Sequence, residues 1–392
     1  MKSYNLIILI LLTIIFFFSG QATVSAATDN DIHFDESILQ EISLDGVGSY
    51  WDQLVEEYGG YLPEIEKTSI YEFVKNQDSF SLKNTIVAFL EYLFHELIAN
   101  GKLLGTLLML TLFSVILQTM HSAFERNAVS KIAYFVIYLV LIFIALNSFY
   151  VAVSYTQEAI EMMKGFMIAL LPLMLGMMAS FGNVIAVSFF HPIIIFLINF
   201  SGILVSTFIL PLLFLSAMLL IVSSLSENYK VTHLANLFKT VGLGALGIFL
   251  TIFLGVISVQ GTASAIQDGL AMKTAKFVTG NFIPVVGRTF TDAADTILSA
   301  SLVLKNAVGM AGLLVILLIV LFPALKIAAV ALIYKIAAAA LQPIGGGPVI
   351  TALNTISNYI LYILACLLAV SLMFLLAIVI IVSASNITIL LR

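Results

Sequence analysis

The chain contains a long apolar stretch, VIAVSFFHPIIIFLINFSGILVSTFILPLLFLSAMLLIVSS (residues 184–224), which has no Asp, Glu, Lys or Arg. An apolar run longer than about 18 residues is typical of a helix that spans a membrane. The stretch is long enough for two runs, 184–206 and 208–224, divided by a Thr207–Pro211 break. Further apolar runs occur at about 103–120, 132–153, 166–181, 241–259, 308–325 and 356–382. We therefore predict an all-α polytopic membrane protein.

The composition supports this class. Of the whole chain, 61% is hydrophobic and only 10% is charged. A soluble protein of this composition would expose one continuous apolar patch. The sequence has no basic stripe and no base-stacking module, which argues against binding to nucleic acid. The single cysteine, Cys366, excludes an intramolecular disulfide framework and a Cys-rich metal site.

The N-terminus has the pattern of a secretory signal peptide (residues 1–26). Lys2 provides the positive start, Leu6–Phe18 the apolar run, and Val24-Ser25-Ala26 the small residues before cleavage. We predict cleavage between Ala26 and Ala27. The alternative is an uncleaved membrane anchor, because the apolar run is about as long as a short span. Both interpretations place residue 27 outside the cytoplasm.

Charge is distributed unevenly between the next segment and the membrane body. Residues 27–102 contain 15 acidic and 4 basic residues, whereas residues 103–392 contain 7 acidic and 12 basic residues. Basic residues are retained on the cytoplasmic side, while acidic residues cross freely. Residues 27–102 are therefore predicted to be an acidic extracytoplasmic helical segment lying against the membrane surface. Within it, one amphipathic helix places Trp51, Leu54, Val55 and Tyr58 on one face and ends at Gly59-Gly60.

The membrane body is predicted to cross the bilayer about eight times. A first transmembrane helix and inner connector (103–130) precede two tandem units of about 110 residues (131–239 and 240–350), and a last helix and tail follow (351–392). Four pairs of landmarks recur at an offset of 110 to 112 residues, namely Phe166 and Phe277, Pro172 and Pro284, Gly202 and Gly312, and Pro211 and Pro323. The count rises to ten if Lys276–Phe290 and Ile327–Leu341 cross the bilayer rather than re-enter it. Chance matches in apolar, low-complexity sequence are the alternative to a repeat.

Several residues are candidates for helix breaks or for a polar passage. Broken helices build the substrate sites of many transporters. The candidate breaks are Pro172, Pro211, Pro323, Pro343, Gly345, Gly346 and Gly347. The candidate polar pathway or gate surrounds the Gly280–Gly287 break and comprises Lys276, Asn281, Pro284, Arg288, Asp292 and Asp295. Charges near apolar backbone are expected to face water or each other. The alternative is a solvated outer loop for these charges. Glu158, Glu161 and Lys164 are predicted to form another outer loop, after the span at 132–153. Lys326 lies in apolar sequence, from which its side chain can snorkel to the membrane interface.

No catalytic, cofactor-binding or metal-binding signature is found. His95-Glu96 begins like a zinc-protease helix, but Ala99 stands where the second histidine is required. Gly345-Gly346-Gly347 is followed by Pro348 and lacks the Lys-Ser/Thr of a phosphate-binding loop. Ser201 and His191 lie on one apolar run, which disfavours a serine–histidine dyad. We expect a protein that is not an enzyme and needs no cofactor.

Five motifs resemble a known family. They are Tyr50-Trp51-Asp52-Gln53-Leu54, Glu57-Tyr58-Gly59-Gly60-Tyr61-Leu62-Pro63-Glu64, Ser130-Lys131-Ile132-Ala133-Tyr134-Phe135-Val136-Ile137-Tyr138, Gly280-Asn281-Phe282-Ile283-Pro284-Val285-Val286-Gly287-Arg288 continuing through Asp292, and Leu341-Gln342-Pro343-Ile344-Gly345-Gly346-Gly347-Pro348. The chain is similar to the stage III sporulation protein AE family over nearly its whole length.

The resemblance implies a role in endospore formation. Members of this family belong to a multi-protein complex in the mother-cell membrane that surrounds the engulfed forespore. With a forespore membrane partner, the complex is thought to form a transenvelope channel that supports late forespore gene expression. The implied partners are the other membrane subunits and the lipid bilayer, and residues 27–102 would face the intermembrane space. A stand-alone permease for a small solute is the second hypothesis, suggested by the broken helices and the repeat.

The predicted orientation can be tested by protease protection. Protease added to intact protoplasts should cleave within residues 27–102, because this segment is predicted to lie outside the cytoplasm. Immunoblotting of an epitope placed in the segment measures the cleavage, and a cytoplasmic protein that stays intact controls for lysis. Protection of the segment in sealed protoplasts would reverse the predicted orientation.

Overall fold

A computed structural model describes residues 45–61, 69, 82–123, 128–180, 183–224, 230–282, 286–343 and 347–390. The described residues are almost entirely helical, and no strand occurs among them, so the all-α prediction is confirmed there. The helices are α1 (Asp45–Tyr58), α2 (Leu82–Ala99), α3 (Gly101–Ala123), α4 (Ala128–Ser180), α5 (Val184–Ile203), α6 (Leu210–Ser223), α7 (Thr232–Phe282), α8 (Val286–Leu341) and α9 (Pro348–Leu390). The signal peptide and its cleavage site at Ala26 and Ala27 lie outside these ranges.

The apolar helices are longer than the predicted spans. Helix α4 has 53 residues, about 80 Å at 1.5 Å per residue, against about 30 Å for the hydrocarbon core of a bilayer. In the described part of the chain, five stretches are long and apolar enough to cross a membrane: Ile132–Ser180, Val184–Ser223, Thr232–Ala271, Lys305–Leu341 and Pro348–Ala384. A sixth would be the pair Val87–Ala99 and Gly101–Leu117, which is bent by 49°. The predicted count of eight to ten spans is therefore not confirmed.

The predicted outer loop at Glu158, Glu161 and Lys164 is wrong. These residues lie inside α4, which continues without interruption from one apolar run into the next. The Ser154 hydroxyl donates to Glu158 at 2.8 Å, and Lys164 pairs with Glu161 at 2.7 Å. Side chains three and four residues apart are neighbours on a helix. The polar stretch is thus compatible with a continuous helix.

Two of the predicted proline breaks are also wrong, and a third, Pro343, lies between two helices. Pro172 lies inside α4 and Pro323 inside α8, so Ile327–Leu341 is part of a continuous helix rather than a short interrupted one. Proline is tolerated in membrane helices when neighbouring groups compensate for the lost hydrogen bond. By contrast, α8 ends at Leu341, Pro343 lies in the turn that follows, and Gly347 precedes the first residue of α9. Gly345 and Gly346 lie outside the described residues.

Pro211 marks a distortion of the helix rather than a break. A π-helical segment, Leu204–Ile209, joins α5 to α6, and the Leu210 N–H donates to the Val205 carbonyl five residues earlier. In this register the Ser206 carbonyl would pair with residue 211, but proline has no N–H. The Gln157 amide of α4 donates to the Ser206 carbonyl instead, at 3.4 Å. The π-helical segment is thus hydrogen-bonded to α4.

The tandem repeat remains a prediction. Unit 131–239 contains α4 and the α5–α6 pair, and unit 240–350 contains most of α7 and all of α8. Each unit therefore has two long helical stretches instead of four spans. One pair of landmark prolines differs in its local structure, because Pro211 directly follows a π-helical segment and the first residue of α6, whereas Pro323 lies inside α8. Pro284, the landmark matched to Pro172, lies outside the described residues.

Helix α9 lies at the centre of the bundle, where it packs against α8, α7, α4 and α6. Glycines of α8 allow close approach to α9 at one of these contacts and to α4 at another place. A methyl group at Gly309 would lie 2.5 Å from Val382, and one at Gly312 would lie 2.7 Å from Leu170. Small residues at helix interfaces strengthen van der Waals packing, which is the main attraction between helices in lipid.

Tyrosine–serine pairs join the long helices at three places. The Tyr334 hydroxyl of α8 donates to Ser148 of α4 at 2.8 Å. Tyr138 of α4 pairs with Ser224 at the end of α6, and Tyr359 of α9 pairs with Ser216 in the middle of α6. Hydrogen bonds of this kind stabilise membrane helix pairs by about 0.6 kcal/mol each on average.

Asp268 has a structural role that the sequence pattern did not reveal. Its side chain on α7 is buried, and its two oxygens accept hydrogen bonds from the backbone N–H groups of Ile185 and Ala186, at 3.1 and 2.9 Å. These N–H groups belong to the first turn of α5 and have no partner within that helix. A carboxylate also interacts favourably with the positive end of a helix dipole. Asp268 therefore caps α5 from a neighbouring helix.

This capping interaction predicts a loss of stability for Asp268→Ala. Removing the carboxylate leaves two N–H groups without their acceptor, at a cost of about 1–3 kcal/mol in the free energy of unfolding. The melting temperature of the detergent-solubilised protein should fall. Asp268→Asn, which keeps one acceptor oxygen, is the matched control and should show a smaller decrease. Equal melting temperatures for wild type and Asp268→Ala would contradict the capping role.

Candidate functional site

Helix α1 packs into the helical bundle. Trp51 and Leu54 are each 1% exposed, Tyr58 is also buried, and Val55 is partly buried against the same core. This confirms the predicted apolar face, and the helix ends before Gly59 as predicted. The face contacts α4 and α8, so it is covered by protein rather than by the membrane surface.

An aromatic cluster of Tyr58, Phe89, Tyr92 and Phe322 joins α1 and α2 to α8. The rings of Tyr58 and Phe322 are parallel, with centroids 3.9 Å apart. Tyr92 and Phe89 contact Phe322 edge-on, at 4.9 and 6.2 Å between ring centroids. Aromatic rings bury large apolar areas and gain about 0.5–1.5 kcal/mol per pair beyond that burial. The cluster therefore attaches the N-terminal helices to the membrane body.

Lys326 lies one turn beyond Phe322 on α8 and contacts α1 and α4. Its ammonium group is 3.5 Å from Glu57 and lies over the rings of Tyr58 and Tyr155, at 5.6 and 5.3 Å from their centroids. Lys326 is thus directed toward other helices rather than snorkelling to a lipid interface. The Lys326 and Glu57 side chains are 21% and 47% exposed, so the ion pair contributes at most about 1 kcal/mol. The aromatic cluster dominates the attachment of α1.

A cavity of about 540 Å³ lies between α1, α4 and α8, and we call it the central cavity. Its polar lining comes from all three helices. The residues around it are Tyr50, Gln53, Glu57, Tyr58, Tyr155, Glu158, Ala159, Glu161, Met162, Gly165, Ile319, Pro323 and Lys326. The polar stretch of α4 that resembled a loop in the sequence thus lines this cavity.

Two local features shape the central cavity. At Gly165 any larger residue would collide with the Tyr50 hydroxyl, so glycine lets the Tyr50 ring lie against α4. Pro323 has no N–H, so the Ile319 carbonyl receives no helical hydrogen bond from position 323. Both Ile319 and Pro323 line the cavity. Pro323, which was predicted to break a helix, therefore borders the central cavity while α8 continues past it.

The electrostatics of the central cavity favour small polar or cationic solutes. Three carboxylates, Glu57, Glu158 and Glu161, line it together with one ammonium group, that of Lys326. Burial and the neighbouring Glu57 raise the pKa of the Tyr58 hydroxyl above its ordinary value, so Tyr58 stays neutral and can donate a hydrogen bond. The cavity lining offers carboxylate and phenol groups but no Ser, Thr or Cys nucleophile.

Only part of the predicted polar gate lies among the described residues. Helix α7 ends at Phe282 and α8 begins at Val286, so the predicted Gly280–Gly287 break lies where two helices adjoin, and residues 283–285 are outside the described ranges. Pro284 and the side chains of Lys276, Asn281, Arg288, Asp292 and Asp295 lie outside what the structure describes, so their role in a polar pathway remains a prediction.

Two further sequence interpretations concern a serine–histidine dyad and a metal site. The Ser201 hydroxyl is buried and donates to the Ile198 carbonyl at 2.7 Å, as expected of a packing residue. His191 lies ten residues earlier on the same helix, about 15 Å away along its axis. Within the ranges given above, no group of three His, Cys, Asp or Glu side chains could hold a metal ion. The absence of a metal and of enzymatic activity remain predictions.

Comparison with known proteins identifies the family. The family model described as "Stage III sporulation protein AE" matches residues 65–385. The chain belongs to this family. The stage III sporulation protein AE of Bacillus subtilis (strain 168) is 50% identical over 402 aligned residues, which cover 100% of both chains. The resemblance seen in the sequence motifs is thus confirmed. No solved structure matches the chain.

The docking of α1 can be followed through Trp51, the only tryptophan in the chain. Tyr58→Ala removes the ring that stacks on Phe322, and truncation of a buried aromatic residue costs about 3–5 kcal/mol. We expect α1 to detach, so that Trp51 emission shifts to longer wavelength and becomes more accessible to acrylamide. Glu56→Ala, on the exposed side of α1 and outside the central cavity, is the control and should leave the emission unchanged. Unchanged Trp51 emission in Tyr58→Ala would show that the aromatic cluster does not hold α1.

Proposed function

We propose that the chain is a non-enzymatic integral membrane component of a transenvelope channel complex between mother cell and forespore. In this role it is needed for late forespore gene expression and for completion of the spore. The similarity to a sporulation protein over the full length of both chains carries the proposal. The five or six helical stretches suited to crossing a membrane, counted in the described part of the chain, are consistent with it.

The N-terminal segment suggests how such a component connects two compartments. We place residues 27–102 in the space between the two membranes, because the predicted signal peptide and the net acidic charge favour export. Helices α1 and α2 from this segment pack on α8 through the aromatic cluster. A subunit bound to this segment in the intermembrane space would thus act on the membrane body through α8.

Deletion in a spore-forming host tests the proposal. The mutant should complete engulfment but stop developing afterwards, with reporters of late forespore gene expression silent and heat-resistant spores greatly reduced. Affinity purification of the tagged protein from sporulating cells should recover the other membrane subunits of the complex. A deletion strain that produces spores at the normal frequency would reject the proposed function.

A stand-alone permease for a small solute is the second candidate, and the central cavity favours it. A polar cavity beside a proline in a membrane helix resembles the way transporters build a binding site. Purified protein in liposomes should then transport solute without other subunits, and Arg288→Ala or Asp292→Ala should alter the flux if they lie on the pathway. Absence of flux for small cations and polar solutes would favour the channel-component role over the permease.

A further inference from the structure

An apolar ridge on α4 faces away from the bundle. It consists of Phe143, Asn147 and Tyr150, which are spaced at four and three residues and therefore share one face of the helix. Phe143 is 75% exposed and Tyr150 is 69% exposed. The preceding turns of α4 also expose large apolar side chains, among them Ile132, Phe135, Val136 and Leu139. We call the three residues the Asn147 ridge.

Asn147 is the polar residue within this apolar surface. Its side chain is exposed, and no described residue forms a hydrogen bond with its amide. Acyl chains offer neither donors nor acceptors, so an amide facing lipid loses the hydrogen bonds it makes in water. Other amides on the membrane helices do have partners, as Gln157 has in the Ser206 carbonyl and Asn199 in the Ile195 carbonyl. Asn147 thus lacks the intramolecular partner that comparable residues have.

A groove lies on each side of the ridge. The larger one, of about 480 Å³, lies between α4 and the α5–α6 pair, where the π-helical segment and Pro211 displace the backbone. The smaller one, of about 260 Å³, lies toward the bend between α2 and α3 at Asn100. Phe143 and Asn147 line both grooves. Two helix distortions thus flank one protruding row of side chains.

This surface has the properties of a symmetric interface. Two copies related by a two-fold axis meet through the same patch, so the patch must contain both the protruding and the receiving element. The ridge protrudes and the adjacent grooves receive, in agreement with the ridges-into-grooves packing of helices. The Asn147 amide is both donor and acceptor, so it can pair with its own copy across the axis.

We propose that the Asn147 ridge is the contact through which two copies of this chain associate in the membrane. Asn147 of one copy forms hydrogen bonds with Asn147 of the other, and each Phe143 enters a groove beside the opposite ridge. The pairing supplies the partners that the amides lack, while the aromatic side chains fill the grooves. The inference does not depend on the proposed sporulation function, because it concerns only how two chains pair.

Disulfide cross-linking of the full-length chain in membranes tests the pairing. The natural cysteine is first removed as Cys366→Ser, and Asn147→Cys is introduced. Oxidation should produce a covalent dimer, because the axis places residue 147 opposite its own copy. Val259→Cys is the matched control, since Val259 is 71% exposed on α7 and lies outside the ridge, and it should give little dimer. Equal dimer yields at both positions would indicate random collision and would overturn the proposal.

A second measurement does not need engineered cysteines. Two differently tagged copies are co-expressed, and the amount of one that is recovered with the other is compared for wild type, Asn147→Leu and Val259→Leu. Loss of an interhelical hydrogen bond should weaken association about three- to fifteen-fold in Asn147→Leu, while Val259→Leu should match wild type. Unchanged recovery for Asn147→Leu would overturn the proposal. In the cysteine experiment, cross-linking of residue 147 to lipid or to a different membrane protein would also overturn the proposal. Asn147→Leu should still show a single cooperative melting transition, which confirms that the variant folds.

Discussion

Polar groups within apolar helices have to find their hydrogen-bond partners inside the protein, and much of this structure depends on that constraint. Lipid hydrocarbon cannot replace water as a partner, so each unpaired group costs free energy. Here the partners come from neighbouring helices. Asp268 of α7 binds the first turn of α5, and Tyr334 of α8 binds Ser148 of α4. Such contacts specify which helices lie side by side, because apolar packing alone discriminates weakly between similar surfaces.

The same constraint explains how the N-terminal helices join the membrane body. Helix α1 has one apolar face, and α8 provides a complementary surface centred on Phe322. Close to that contact, Lys326 requires an anion and aromatic rings, and Glu57, Tyr58 and Tyr155 supply them. Apolar burial holds the helices together, and the ion pair lies at the edge of the aromatic contact. As a result, α1 and α2 share one apolar core with the membrane helices.

Irregular helix geometry occurs where the structure opens. Pro323 lies beside the central cavity, and the π-helical segment and the bend at Asn100 lie beside the two grooves of the Asn147 ridge. Distortions of this kind cost stability and are frequent at functional sites. In a bundle of long straight helices, close packing would otherwise fill these spaces. Helix distortions therefore border both the polar cavity between α1, α4 and α8 and the grooves on the outer surface of α4.

The sequence by itself determined the helical membrane class, the buried face of α1 and the family, because each depends on local periodicity or contiguous motifs. It did not determine that α4 is continuous, since charged residues resemble a loop until their i, i+3 and i, i+4 pairing is known. It also did not determine the central cavity or the cap at α5. Those depend on Lys326 meeting Glu57 and on Asp268 meeting Ile185, residues that are distant along the chain. Only the packing of the helices brings such residues together, because periodicity describes one helix at a time and carries no information about its neighbours.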